Sequence, residues 1–162
     1  MREYVVCYCE AHGSDILLVM KNRPAKMAGR LNLPGGKIDP TDAGPIEAAI
    51  RELREESGLD GTKPDYMGRI VVEKDAHGDN AIIHCIKLHV DGYQPFAPRS
   101  EETEVVRWYD WREVTTDPRL MPNLRIIVPL MRAGVSGWTI DDSLPSWGKA
   151  LHTVSIQIPT YH

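Results

Sequence analysis

Three glutamates, Glu52, Glu55 and Glu56, constrain this chain more than any other feature. They lie in a stretch that reads as one amphipathic helix from Pro45 to the residue before Gly58. Pro45 suits the first helical position, where its missing N–H would have no helical partner anyway. Ile46, Ile50 and Leu53 recur at helical spacing and predict a buried stripe, with Ala49 beside it. Gly58 suits the left-handed residue just past a helix end, and Leu59 can fold back onto the last turn. Residues three and four apart share one side of a helix, so the three glutamates point the same way. Like charges that close repel and weaken the helix. One reading is a solvated face with Arg51 and Arg54 as counter-charges. The other is a hard divalent cation, Mg2+ or Mn2+, which prefers carboxylate oxygens. Gly35-Gly36 precede the helix and let backbone approach a ligand closely, which favours the metal.

At 162 residues the chain has the length of one domain with a substantial core, and 1–162 is read as a single unit. Charged content of 26% and apolar content of 42% are ordinary for a globular protein. A net charge of −4 gives no footprint for nucleic acid. No apolar run approaches the roughly 20 residues of a membrane span, and no signal-peptide pattern is present. Cys7, Cys9 and Cys85 lie in apolar segments. They read as buried reduced thiols of a cytoplasmic protein. Zinc is the weaker alternative, because no second Cys/His cluster has the spacing.

Taken in order, residues 3–10 and 16–20 read as strands across a turn at 12–15. Residues 21–30 form a basic loop with Lys21, Arg23, Lys26 and Arg30, either solvated or facing phosphate. Residues 66–73 and 81–90 read as a hairpin with a turn at 77–80. A loop at 91–100 leads to a short strand, 105–111. Residues 122–132 read as a helix with Leu124, Ile127, Val128 and Met131 on one side, kinked or shortened by Pro129. Residues 137–141 and 152–158 read as late strands. Mixed strands and helices predict an α/β fold.

The stretch from Gly36 to Leu59 resembles the Nudix box of the nucleoside diphosphate-linked-X hydrolases. Gly36 stands at the opening glycine, and Arg51-Glu52-Leu53-Arg54-Glu55-Glu56-Ser57-Gly58-Leu59 matches the closing run. Asp42 replaces the first Glu, and one extra residue separates it from Arg51, placed here in the Ala43-Gly44-Pro45 turn. The resemblance implies an α/β/α sandwich with a mixed sheet. It implies Mg2+ or Mn2+ held by Glu52, Glu55 and Glu56 with the Gly36 carbonyl, while Arg51 orients the carboxylates. A further loop carboxylate is implied, with Glu102 first and Glu101 and Glu104 behind it. Glu55, Glu56, Glu102 and Arg51 are the catalytic candidates, and Gly36, Glu52, Glu55, Glu56 and Glu102 the metal candidates.

Such a site suits phosphoanhydride hydrolysis, which needs charge neutralisation, an in-line water and a base. The resemblance also reaches the oxidised-purine nucleoside triphosphatases. Gly29-Arg30-Leu31-Asn32 and Met121-Pro122-Asn123 resemble the two walls of their base pocket. Met121 replaces a stacking Trp there and Asn123-Leu124 a paired Asp, so that purine specificity does not transfer. The substrate-binding candidates are Asn32, Arg23, Lys37, Met121 and Asn123. The expected activity converts a nucleoside triphosphate or related nucleotide into monophosphate and pyrophosphate. ADP-ribose, a capped RNA end and a non-catalytic nucleotide-binding role are the alternatives. The expected partner is a small nucleotide, without membrane or nucleic acid, and the chain a monomer or homodimer. Residues 141–162 match nothing in this pattern.

Overall fold

In the computed structural model the described residues are 1–11, 13–22, 25–73, 78–91, 96, 104–142 and 155–157. Strands β1 (Arg2–Tyr8), β2 (Glu10–Ala11) and β3 (Asp15–Met20) come first, then a 3-10 turn (Ala25–Met27). Strands β4 (Leu31–Asn32) and β5 (Gly35–Lys37) lead to helix α1 (Pro45–Ser57). Strands β6 (Thr62–Val72), β7 (Ala81–His89) and β8 (Val105–Asp110) follow. Helices α2 (Trp111–Val114) and α3 (Leu124–Arg132) and strands β9 (Trp138–Asp142) and β10 (Ser155–Gln157) complete the chain.

The main sheet has the order β10-β9-β6-β7-β1-β5 and is mixed. Pairs β1/β7 and β6/β9 are parallel, and its other pairs are antiparallel. A second, antiparallel sheet joins β2, β3 and β4, with β8 on the other edge of β3. Successive strand residues face opposite sides, so each sheet feeds two cores. Val5, Cys7, Cys9, Leu17, Ile86 and Leu88 pack with Ala48, Ala49, Leu53 and Leu59 of the α1 region. Tyr8, Ile16, Leu18, Ile70 and Cys85 pack with Leu124, Ile127, Val128 and Met131 of α3. Apolar residues on both strand faces follow from this two-sided burial. The expected α/β class with a mixed sheet is the observed one. Among the described residues, no helix is long and apolar enough to cross a membrane.

Several boundaries differ from the sequence reading for local reasons. The strand expected over 3–10 breaks at Cys9, where the chain leaves the main sheet for the smaller one. Strands β4 and β5 were not expected. The double glycine reads as a loop, yet Val5 and Val6 pair with Gly36 and Gly35. A Cβ at Gly35 would strike the Val5 carbonyl, so glycine is what lets this strand approach. Strand β6 starts at Thr62 and carries Pro64 inside an irregularity between Thr62 and Asp65, a place where a ladder tolerates proline. Helix α3 starts two residues late and continues through Pro129, whose ring is exposed. Ile46 is exposed rather than part of the buried stripe, which consists of Ala48, Ala49, Leu53, Glu56 and Ser57. The stripe is thus turned towards the glycines, and it drags a glutamate into the interior.

Beyond α3, Trp138 of β9 is 1% exposed and lies over Gly68 of β6, the residue it pairs with. Its indole N–H donates to the Val135 carbonyl at 2.9 Å. A Cβ at Gly68 would enter the Trp138 ring. Overpacking of this kind costs about 1–3 kcal/mol. Gly68→Ala should therefore lower the melting temperature by several degrees, at roughly 2–4 °C per kcal/mol for a chain this size. An unchanged melting temperature would show that the ring moves aside freely.

Candidate functional site

Helix α1 is fixed at both ends. Pro45 occupies its first turn, and Glu47 Oε2 accepts from the Ala43 N–H at 2.9 Å. Gly58 ends it at φ 77°, with its N–H donating to the Arg54 carbonyl at 2.8 Å. Ser57 Oγ donates to the Leu53 carbonyl and accepts from the Leu59 N–H. Leu59 is fully buried against this turn, as the sequence predicts.

The glutamates of this helix differ sharply in environment. Glu56 is 7% exposed, and its Oε2 is buried with no hydrogen-bond partner. Burial pushes its carboxyl up to about 8. Glu104 and Glu52 push the same way, while Lys21 and a hydrogen bond from the Gly35 N–H oppose. Burial also raises the Glu52 carboxyl, against the pull of Arg51. Glu55 is half-exposed. Gly36 lies directly under Glu52, where a Cβ would run into the carboxylate. The two glycines therefore do what their sequence position suggests, bringing backbone against the acidic face.

Arg51 organises this face from one side. Its Nε and Nη2 donate to the two oxygens of Asp42 at 2.9 and 2.8 Å, and Nη2 also reaches the Lys37 carbonyl at 3.2 Å. Nη1 donates to Glu52 Oε1 and Glu55 Oε2, both at 3.1 Å. The guanidinium is thus held by the bidentate Asp42 pair and presented to two of the three glutamates. Arg51 holds the Asp42 carboxyl below its ordinary range.

The smaller sheet supplies the other side. Strand β8 runs antiparallel to β3 with Val105 opposite Met20. The next pair outward is Lys21 and Glu104, whose Nζ and Oε2 are 3.3 Å apart. Val106 and Trp108, two and four residues on, pack against the α1-side core, so Glu104 shares the face of α1. Glu104 is 4% exposed in its side chain, although the sequence puts it behind Glu102 among the loop carboxylates. The missed signal is that β3 ends just before Lys21 and β8 starts just after Glu104. Glu101, Glu102 and Arg23 lie outside the described residues.

Asn32 and the 121–123 segment come together through backbone. Leu31 N–H donates to the Arg119 carbonyl at 2.8 Å, and Met121 N–H to the Leu31 carbonyl at 2.9 Å. Met121 is buried in the α3-side core. Asn32 Oδ1 accepts from the Leu33 N–H at 2.9 Å. Asn123 Oδ1 is buried and unpartnered. Lys37 is exposed at the end of β5, beside Tyr4.

Residues 2–131 match the model of the NUDIX domain family. The chain belongs to the Nudix family. Among curated relatives, the CTP pyrophosphohydrolase of Escherichia coli K12 is 28% identical over 131 residues, which cover 81% of this chain and 92% of that one. A MutT protein from Bacillus halodurans shares the fold with a TM-score of 0.75 at 19% identity, over 96% of this chain and 97% of that chain. The NUDIX domain of NrtR from Shewanella oneidensis, solved with ADP ribose, aligns with a TM-score of 0.62 at 21% identity, over 82% and 84% of the two chains. This Nudix chain is a hydrolase of pyrophosphate bonds, and the carboxylate face described above is its Nudix box.

The donor set of the box, with Glu104 beside it, fits a divalent cation. A buried carboxylate oxygen without a partner, a second carboxylate against the Gly36 backbone and a third across from Lys21 are hard oxygen donors. Among the described residues, no three such side chains already converge as an ion's ligands. Arg51 engages Glu52 and Glu55, and Lys21 engages Glu104. In the metal-free chain Glu56 carries a titration of its own. Its folded value, about 8, lies above its unfolded value of about 4.3. A raised group adds stability that is full below the unfolded value and lost as pH rises through the folded one. Glu56→Gln removes this loss. In EDTA-treated protein, the melting-temperature advantage of Glu56→Gln over wild type should grow from pH 5 to about 8 and then level off. A constant difference across that range would contradict the buried, protonated Glu56.

Proposed function

We propose that this Nudix chain hydrolyses a nucleoside triphosphate or a related nucleotide to the nucleoside monophosphate and pyrophosphate. The proposal includes Mg2+ or Mn2+ held by Glu52, Glu55, Glu56 and Glu104, with the Gly36 carbonyl. The observation that carries it is the buried, partnerless Oε2 of Glu56 among Glu52 and Glu104. Burying three carboxylates together is costly without a cation to share them. When bound, the cation neutralises phosphate charge and activates water. The chain's own residues do the rest. Arg51, braced by Asp42, keeps Glu52 and Glu55 in place. Water adds to phosphorus, the phosphoanhydride bond breaks, pyrophosphate leaves, and a carboxylate of this face takes the proton. Glu104 is the best placed loop carboxylate among the described residues, and Glu102 remains a candidate for the same task.

The triphosphate choice is supported by the relative named CTP pyrophosphohydrolase, which this chain matches over 92% of that relative's length. The neighbour with ADP ribose supports the fold alone at its identity. The complete carboxylate set argues against a purely binding role, since binding alone needs no such cluster. A panel of nucleoside triphosphates and ADP-ribose with Mg2+, read by released pyrophosphate or phosphate, tests the proposal. Pyrophosphate from at least one triphosphate is expected, and Glu55→Gln should slow it by roughly 10²-fold. Turnover of ADP-ribose alone, or none at all, would sink it.

We take the nucleotide base to lie between Asn32 and Asn123. Asn123 carries the stronger sign, because its buried Oδ1 lacks a donor that a base amino group supplies. An unpaired buried oxygen costs stability in the free protein. Asn123→Ala should therefore leave the melting temperature equal or higher, and lower kcat/KM for the preferred nucleotide by roughly 10- to 100-fold. A lower melting temperature with equal losses on every base would return Asn123 to a packing role.

A further inference from the structure

We infer that Lys21 is a built-in counter-ion of the acidic site and competes with the divalent cation for Glu104. The inference rests on the metal-site reading above. Its basis is the position of the ammonium. Lys21 Nζ lies 3.3 Å from Glu104 Oε2, with side-chain exposures of only 17% and 4%. A pair this enclosed is weakly screened. Lys21 is also the strongest charge opposing the burial of Glu56, and it acts on Glu52 as well. One ammonium thus serves three carboxylates.

The backbone around it is fixed. Lys21 N–H donates to the Arg30 carbonyl at 2.7 Å, and the Lys21 carbonyl accepts from the Gly29 N–H at 2.8 Å. Its Cα cannot swing away, but four rotatable side-chain bonds let the head group move. Arg51 differs in this respect, since Asp42 pins its fork in place. The site therefore holds one rigid cation and one movable one. A divalent ion binding Glu104 and Glu56 would meet the Lys21 ammonium at close range and displace it. The metal-free fold tolerates its buried carboxylates because the ammonium stands in, at the cost of weaker metal affinity.

The test uses the full chain stripped with EDTA and titrated with Mn2+, free Mn2+ being read by its EPR signal. Wild type, Lys21→Met and Lys21→Arg are compared. Lys21→Met should bind Mn2+ about tenfold more tightly at low salt, the scale of removing one nearby like charge. Its metal-free melting temperature should fall, and the Mn2+-induced rise should exceed that of wild type. Lys21→Arg should return both readings towards wild type. Lys63→Met, the same charge change at an exposed site, should leave the affinity within about twofold. Equal or weaker Mn2+ binding in Lys21→Met overturns the competition while leaving the metal site intact. No Mn2+ binding by wild type overturns both readings. A Lys21→Met chain that folds only with Mn2+ supports the inference, and one that fails to fold even with Mn2+ overturns it.

Discussion

Like charges buried together are the constraint on which this structure turns. Glu52, Glu56 and Glu104 face one another across the junction of α1 and the smaller sheet. At an effective dielectric of about 20, two unit charges 4 Å apart interact by about 4 kcal/mol, a large part of a domain's net stability. The surroundings answer that cost in three ways. Burial keeps Glu56 protonated up to about 8 when no metal is present. Arg51 bridges Glu52 and Glu55, and Lys21 pairs with Glu104. None of these gives the free oxygen of Glu56 a partner. The chain gives up stability at this point, on the acidic face of its Nudix box.

The two-sided sheets make such a junction possible. Alternate residues of β1, β3 and β7 feed separate cores, so α1 and α3 can be packed independently. Helix α1 lies against one core, and the Asn32, Met121 and Asn123 region is built on the other. Strand β3 connects them. Its end carries Lys21 towards the acidic face, while its pairing with β4 sets Asn32 opposite Val19. A shift of one residue along β3 would turn both to the wrong side, so strand register, not loop conformation, sets the relation between the acidic face and the Asn32 region.

Much of this was legible in the sequence because the decisive spacings are local. Helix α1, its Pro45 start, its Gly58 end and its glutamate face depend on residues within two turns of one another. The hairpin of β6 and β7 was read for the same reason. The tertiary choices were not. Ile46 obeys the helical period yet is exposed, because the helix is rotated until Ala48 and Ala49 meet the sheet. Gly35-Gly36 reads as a loop and is a strand, since only pairing with β1 supplies its ladder. Glu104 is positioned by the pairing of β3 with β8, which sets it beside Lys21, 83 residues away, and so distant a pairing leaves no local signature. The buried thiols were read correctly: Cys7, Cys9 and Cys85 are all free and buried.

The altered Nudix box shows how such a motif bears change. Its first acid is Asp42, one carbon shorter than Glu, and one residue is added between it and Arg51. The loop folds on itself: the Asp42 N–H donates to the Asp39 carbonyl, the Asp39 N–H to Asp42 Oδ2, and the Thr41 N–H to Asp39 Oδ1. This compact turn delivers a shorter side chain to the guanidinium with both oxygens engaged. The added residue is absorbed before Pro45, so the 3.6-residue phase of Arg51, Glu52, Glu55 and Glu56 is untouched. A longer loop and a shorter acid offset one another. What this chain keeps is therefore a bidentate grip on Arg51 and the phase of the helix behind it, across a loop one residue longer than the pattern it resembles.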